Sequence, residues 1–221
     1  MSNIPPQTPR WAFNLSAEDL KARLKEVIFF LPSFLKHPFE SMKSVPSWDW
    51  PAVIMLEVVL AGGSSVLGGI VSRNFLSVIG GVIIGPVRGL AVTFILAGFF
   101  YYTCLFWLKT ELEFRKLFIV AVMALIPSEI LEIISPLARP VNFISLLGIV
   151  ISAGLLVTGL VENFLLDKKK VFQMVGAASG FVILIWFYGI IMDITSNHIK
   201  VQDYTPASLD QIHKELEHGS Q

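Results

Sequence analysis

Charged side chains are scarce in this sequence of 221 residues, since Asp, Glu, Lys and Arg together make up 15% of it while hydrophobic residues make up 54%. Soluble domains carry roughly 25% charged residues, so this composition excludes an ordinary soluble domain. The formal net charge is zero, and no basic stripe with interleaved aromatic residues is present. Nothing in the sequence therefore attracts nucleic acid, and we expect no nucleic-acid partner.

Residues that commonly carry out catalysis are also few. Cys104 is the only cysteine, which excludes an internal disulfide and a cysteine metal site. The four histidines, His37, His198, His213 and His218, lie outside the long apolar runs, so an intramembrane serine has no histidine base. HExxH, paired intramembrane aspartates and a phosphate-binding loop are missing. We therefore expect no catalytic residue, no metal, no cofactor and no enzymatic activity.

Long apolar runs fill most of the chain. A helix of roughly 20 apolar residues crosses the hydrocarbon core of a bilayer. Five runs have this length, at about residues 52–71, 88–108, 117–137, 142–166 and 171–192. The sequence thus predicts an all-α membrane protein in which residues 51–194 form a five-transmembrane-helix bundle.

A shorter apolar segment, FLSVIGGVIIGP at residues 75–86, lies between the first two runs. About a dozen apolar residues are too few to cross a bilayer. We therefore expect an interfacial or re-entrant segment here, and the sequence leaves open that it is part of a span. A six-span protein would need this piece to cross by itself.

The bundle is flanked by polar segments. Residues 1–15 are Pro-rich and predict a flexible tail, and residues 195–221 predict a polar C-terminal tail. Residues 16–50 begin with a helix start at Ser16-Ala-Glu-Asp and end in a Pro- and Trp-rich lead-in. Apolar residues recur at helical spacing between these ends: Leu20, Leu24, Val27, Ile28 and Leu31. This pattern predicts an amphipathic cytoplasmic helix, which lies either on the membrane surface or against the bundle.

Basic residues indicate the orientation, because Lys and Arg are enriched on the cytoplasmic side of membrane proteins. With five spans, 12 of the 17 Lys and Arg residues fall on the side of the N-terminus. We therefore expect a multi-pass protein whose N-terminus is cytoplasmic and whose C-terminus is outside. The membrane would be the inner one in a bacterial cell.

Three stretches carry a family resemblance. The run LKHPFESMKSVPSWDWPAVIMLEVVLAGG resembles the opening of bacterial Yip1-domain proteins, and EFRKLFIVAVMALIPSEILEII resembles their third span through Phe114, Ala121, Ala124 and Pro127. The run FISLLGIVISAGLLVTGLVENFLL is similar to their fourth span. The resemblance implies a compact five-helix bundle. Eukaryotic members are associated with Rab-type GTPases, but their Asp-Leu-Tyr-Gly-Pro signature is absent here, so the resemblance does not extend to that partner.

Ionisable residues inside the runs form a candidate intramembrane polar site, which comprises Glu57, Arg88, Glu129, Glu132 and Arg139. Each such residue costs about 2.5 to 3.5 kcal/mol at membrane depth and needs an explanation. Glu129 and Glu132 are three residues apart, so their carboxylates share one helix face. Two explanations stay open. The glutamates form ion pairs with Arg88 and Arg139, or they bind a proton or a cation.

Proline and glycine predict how the helices bend and pack. Pro127 removes a backbone hydrogen bond in mid-span and predicts a kink in the third span. Four glycines, Gly148, Gly154, Gly176 and Gly180, are candidate packing positions in the last two spans, where small residues let helices approach closely. Packing within one bundle explains them more simply than homodimerisation, and the sequence does not give the oligomeric state.

Two functions fit these features. The first is a non-catalytic membrane organiser or scaffold, similar to bacterial Yip1-domain proteins. Its expected partners are the lipid bilayer, other membrane proteins or a peripheral protein at the cytoplasmic face. The alternative is a small transporter or channel that uses Glu57, Glu129 and Glu132 as a proton or cation site.

Overall fold

The computed structural model describes residues 17–73, 75–134 and 143–200 of the chain, and all regular structure in these ranges is helical. Seven helices are present there: α1 (Ala17–Lys36), α2 (Pro38–Lys43), α3 (Trp50–Val71), α4 (Phe75–Thr103), α5 (Phe114–Ile134), α6 (Phe143–Phe164) and α7 (Lys168–Lys200). A π-helical turn, Cys104–Leu108, continues α4. The predicted all-α fold is confirmed. Arg139, the tail at residues 1–15 and residues 201–221 lie outside the described residues.

Five of these helices are long and apolar enough to cross a membrane: Trp50–Val71, Val78–Leu108, Phe114–Ile134, Phe143–Phe164 and Lys168–Met192. The protein is thus an integral, multi-pass membrane protein that sits in a lipid bilayer. Each span differs by a few residues from the predicted run, apart from the second, which begins ten residues earlier. The last helix continues past its span as far as Lys200.

The second span contradicts the expectation of a separate re-entrant segment at residues 75–86. These residues are the first part of α4, which continues through Pro86 and Arg88 without interruption. The ring of Pro86 packs on α3, where a Cβ at Gly62 would lie 3.1 Å from the Pro86 Cγ. Helix α4 and the π-helical turn thus form one continuous apolar helical segment. A short turn at Ser72 and Arg73 separates it from α3.

Local sequence explains where the helices begin and end. Asp49 caps α3, since its carboxylate accepts a hydrogen bond of 3.2 Å from the backbone N–H of Ala52, and Pro51 occupies the first turn, where its missing N–H costs nothing. Lys109 has a positive φ of 52° and closes the π-helical turn. Leu165, directly after the end of α6, also has a positive φ of 52°.

The chain divides into two compact units at residue 175. The first unit contains α1 to α6 and the beginning of α7. Its core centres on α5, where every residue from Leu117 to Ala124 is buried. The second unit contains the rest of α7, whose large apolar side chains, among them Phe181, Leu184 and Tyr188, are exposed.

The amphipathic helix α1 packs on the bundle with one of its faces. Val27 and Phe34 are fully buried, and the ring of Phe30 contacts Trp48 edge to face at 5.0 Å. Ile28 and Phe29 on the other side are 51% and 70% exposed. One face of α1 thus packs against the bundle, and its placement on the membrane surface stays a prediction.

Candidate functional site: polar contacts between the spans

Buried polar side chains are concentrated where α3, α4 and α5 meet. Among the described residues, Glu57, Ser64 and Thr93 are 1%, 4% and 0% exposed. We call these three residues, together with Arg88, Glu129 and Glu132, the polar cluster. Four of its six members belong to the site predicted from the sequence, whereas Ser64 and Thr93 are additions from the structure.

Glu57 is joined to α4 by a hydrogen bond. The hydroxyl of Thr93 donates to the Glu57 carboxylate, with 2.8 Å between Oγ1 and Oε1. Burying a carboxylate away from water is costly unless a donor satisfies it. Thr93 provides this donor, and the contact ties the first half of α3 to the middle of α4.

Glycine makes this approach of α4 to α3 feasible. Gly81, Gly85 and Gly89, spaced four residues apart, lie on one face of α4 and are buried. A Cβ at Gly85 would lie 2.7 Å from the backbone oxygen of Ala61, and one at Gly89 would lie 2.4 Å from the Ala61 Cβ. We call these three residues the glycine stripe. It was missed in the sequence because its members were divided between two predicted segments.

Glu129 is joined to α3 in a similar way. The Ser64 hydroxyl donates a short hydrogen bond to Oε2 of Glu129. The same hydroxyl lies 3.2 Å from the backbone oxygen of Ala61, its alternative acceptor within α3. Glu129 is also within electrostatic range of Arg88 and Glu132, so the negative charges of α5 lie beside one positive charge of α4.

Glu132 forms the ion pair of the cluster. The Arg88 guanidinium donates to its carboxylate, with 2.7 Å between Nη2 and Oε1. The two side chains are 52% and 44% exposed, so this pair lies at the outer surface of the helices rather than in a closed core. Arg139, the second basic residue of the predicted site, lies outside the described residues.

The geometry of the cluster is that of a connector between three helices. Glu57 and Glu132 accept hydrogen bonds from side chains of α4, and Glu129 accepts one from α3. Each carboxylate thus has its own donor. The spacing of Glu129 and Glu132 does place both on the side of α5 that meets α3 and α4. Within the described ranges, no three His, Cys, Asp or Glu side chains are grouped so that they could hold a metal ion.

Predicted packing residues differ in their surroundings. A Cβ at Gly148 would lie 3.1 Å from the Cα of Ser128 on α5, and one at Gly154 would lie 3.5 Å from the ring of Phe39. Gly176 and Gly180 belong to the second unit, and Gly176 is exposed there. Pro127 lies inside α5, which continues for seven residues beyond it. The kink at Pro127 stays a prediction.

A second group of polar contacts fastens the N-terminal helices to the bundle. The side-chain amide of Asn163, near the end of α6, donates to the backbone oxygen of Met42 at 2.7 Å and accepts from the backbone N–H of Val45 at 3.1 Å. Lys116 at the start of α5 donates to the backbone oxygen of Asn163 at 3.0 Å. One amide thus joins α2, the lead-in and α6.

The lead-in is also bonded to α1. The indole N–H of Trp48 donates to Glu26 at 2.9 Å, and Arg23 forms an ion pair with Asp49. Between them lies an open cleft of about 340 Å³, lined by Asp19, Ala22, Arg23, Glu26, Ser47, Trp48, Asp49 and Ala52. Helices α1 and α2 and the lead-in, residues 17–49, therefore form one attached layer, which we call the N-terminal layer.

Aromatic rings cluster where the lead-in meets the spans. The ring centres of Trp50, at the start of α3, and Phe118 are 5.4 Å apart, and those of Phe94 and Phe118 are 4.5 Å apart. Phe114, one of the residues that carry the family resemblance, contacts Trp50 at 6.1 Å. Aromatic residues are enriched where membrane helices meet the interface, and here they join the beginnings of α3 and α5 to the second half of α4.

Comparison with known proteins identifies one family. A model of the Yip1 domain matches residues 32–190, which begin within α1 and include the first four spans and all but the last two residues of the fifth. Neither the search of curated proteins nor that of solved structures finds a match. The matched range agrees with the stretches in which the resemblance was recognised, and it covers both the polar cluster and the part of the N-terminal layer from Pro32 onward.

Proposed function

This chain belongs to the Yip1-domain family, and we propose that it acts as a non-catalytic membrane organiser or scaffold. Its N-terminal layer would hold peripheral or membrane-embedded partners at the cytoplasmic face, while the spans anchor that layer in the bilayer. The polar cluster would serve the stability of the anchor. Catalysis plays no part in this proposal.

The attachment of the N-terminal layer to the bundle is the observation that supports the proposal. A flexible tether would present a partner with a mobile segment, whose ordering on binding costs free energy. Here the side chain of Asn163 donates a hydrogen bond to the backbone of α2, and the indole of Trp48 donates one to Glu26 of α1. A surface that is ordered before binding loses less entropy when a partner docks, as a scaffold requires.

The distribution of basic residues supports a cytoplasmic position for this layer. Lys116 donates a hydrogen bond to Asn163, which in turn bonds to Met42 of the layer. The connections from α4 to α5 and from α6 to α7 therefore lie at the same end of the first unit as the layer. Basic residues line these connections: Lys109, Arg115, Lys116, Lys168, Lys169 and Lys170. Positive charge of this kind favours the cytoplasmic side of a membrane.

Photo-crosslinking tests the partner function. A photoreactive amino acid replaces Ala22, which lines the cleft of the layer, in the full-length protein in its native membrane. We expect a discrete protein adduct, because a docked partner would cover this cleft. The matched control replaces Ile95, which is 72% exposed on α4 and would face lipid.

The two positions separate a scaffold from a chance neighbour. An adduct that forms at residue 22, that is absent at residue 95 and that disappears when Trp48→Ala detaches α1 supports the proposal. Identical adducts at both positions, or lipid adducts alone at residue 22, would count against it.

The alternative function is a transporter or channel based on the buried carboxylate of Glu57, which is 1% exposed and lies beside Thr93. Buried carboxylates of this kind form proton and cation pathways in many membrane proteins. Purified protein in liposomes distinguishes the two functions. The scaffold predicts the same proton and cation leak as empty liposomes, whereas a flux that Glu57→Gln or Glu129→Gln abolishes would establish the alternative.

A further inference from the structure

The free side of α1 combines apolar and basic side chains. Val27 and Phe34, seven residues apart, are buried on the bundle, and the adjacent positions Ile28 and Leu35 are both 51% exposed. Phe29 is 70% exposed. Three lysines, Lys21, Lys25 and Lys36, are exposed on the same side of the helix. We call these six residues, Lys21, Lys25, Ile28, Phe29, Leu35 and Lys36, the free face.

Acidic residues of α1 are mostly turned away from the free face. Asp19 and Glu26 line the cleft between α1 and the lead-in, where Arg23 and Trp48 also lie. Glu18, in the first turn, is exposed and shares the side of the helix that carries the three lysines. The free face therefore carries net positive charge, although the chain as a whole has a formal net charge of zero.

Helix α1 is attached close to the start of the first span. It is joined through Trp48 to the lead-in, which ends at Asp49, directly before the first span begins at Trp50. Because a span begins near the membrane surface, we expect the free face to lie at that level. Apolar side chains at this level bury themselves between acyl chains and headgroups, while lysine stems extend toward the phosphates. Lys25 already lies along an aromatic ring, with its ammonium 5.8 Å from the centre of Phe29.

We propose that the free face of α1 binds anionic phospholipids in the leaflet that borders the N-terminal layer. This inference rests on the proposed function, because it assigns a lipid class to the lipid contact of the scaffold. The lysines supply the preference for negative headgroups, since each one near an anionic surface contributes about 1 kcal/mol, or about fivefold in the binding equilibrium. The apolar residues supply insertion that is independent of lipid charge.

Spin labelling in vesicles of defined composition tests this proposal. The full-length protein, with Cys104→Ala to remove its native thiol, carries a label at Ile28→Cys or at Ser47→Cys, a cleft position outside α1. It is reconstituted into phosphatidylcholine alone or with phosphatidylglycerol. We expect the label at residue 28 to become several-fold less accessible to a water-soluble relaxing agent in the anionic vesicles, and the label at residue 47, in the cleft, to change little.

Charge variants assign the effect to the free face. The triple variant Lys21→Gln, Lys25→Gln, Lys36→Gln should abolish the difference between the two lipids at residue 28. The matched control, Lys168→Gln, Lys169→Gln, Lys170→Gln, removes the same charge from the start of α7 and should preserve it. Equal accessibility in both lipids, or a difference that survives the first triple variant, would overturn the proposal.

The result is independent of the crosslinking test of the scaffold. Crosslinking at residue 22 reports on a protein partner in the cleft, whereas the label at residue 28 reports on contact between the free face and lipid. A lipid effect without a protein adduct would leave this inference standing and count against the scaffold. A protein adduct without a lipid effect would support the scaffold and overturn this inference.

Discussion

Gly89 of α4 lies directly against Glu57 of α3, because a Cβ at Gly89 would stand 3.0 Å from the Glu57 carboxylate oxygen that accepts from Thr93. The absence of a side chain at residue 89 thus permits a hydrogen bond at residue 93, one helical turn further along α4. Close approach through small residues and hydrogen bonds between spans are two main sources of helix association in membranes. In this protein the two act at the same place.

Replacing Gly89 by Ala should destabilise the bundle. The new methyl group would clash with the Cβ of Ala61 at 2.4 Å, and overpacking of this kind costs about 1 to 3 kcal/mol. Gly98→Ala is the matched control in the same helix, because nothing lies within 4 Å of its Cβ position. Alanine favours helices over glycine by about 1 kcal/mol, so the control should be neutral or stabilising.

Unfolding of both glycine variants in a detergent titration, followed by circular dichroism, gives the comparison. Equal stability of Gly89→Ala and Gly98→Ala would show that α3 and α4 do not approach each other as closely as the structure indicates.

Replacing Thr93 by Val should also reduce stability, for a different reason. Valine keeps the shape of threonine but leaves the Glu57 carboxylate without this donor, which costs about 1 to 3 kcal/mol at a buried site. Thr158→Val serves as the control, since the Thr158 hydroxyl donates at 3.0 Å to the backbone oxygen of Gly154 within its own helix. If the same titration gives equal losses for the two variants, the bond between Thr93 and Glu57 contributes nothing particular.

Asn163→Leu should detach the N-terminal layer while leaving the spans folded. The variant removes the donor to Met42 and the acceptor for Val45, whereas most of the buried core lies elsewhere. Hydrogen exchange measured by mass spectrometry should become faster in residues 38–48 and stay unchanged in α5. The neighbouring exposed residue supplies the control, Glu162→Gln, and equal exchange in the two variants would refute the role of Asn163.

The sequence predicted the spans because apolar length alone is sufficient to recognise a membrane helix. Four of the five spans were located to within a few residues. The second was shortened because residues 75–86, about a dozen apolar residues, were treated as a separate segment too short to cross a bilayer. In the structure the helix continues through Pro86, which packs on Gly62, and through Arg88, which pairs with Glu132.

The partners of the polar residues could not be predicted in the same way. Composition shows that Glu57 and Glu129 lie inside apolar runs, but it does not show which helix each one faces. Thr93 and Ser64 are ordinary residues in sequence, and they gain importance only because α4 and α5 meet α3 at those positions. The glycine stripe was detectable, since Gly81, Gly85 and Gly89 recur every four residues once α4 is treated as a single helix.

Asn163 could not be singled out from the sequence, because no motif in the neighbouring residues indicates a structural role for it. It lies next to Glu162 at the end of an apolar run, where a polar residue normally needs only water. Its bonds to Met42 and Val45 join positions 118 or more residues apart in the chain. Such long-range contacts follow from the arrangement of the helices and leave no local pattern.

Strict alternation of five spans, with the N-terminal layer in the cytoplasm, is the claim on which both proposals depend. Single cysteines at positions 22, 73 and 169, each in the Cys104→Ala background, test it by labelling with a maleimide that does not cross membranes. In intact cells we expect labelling at residue 73 alone, and labelling at residues 22 and 169 only after the membrane is opened. Labelling of residue 22 in intact cells, or protection of residue 73 there, would contradict the account.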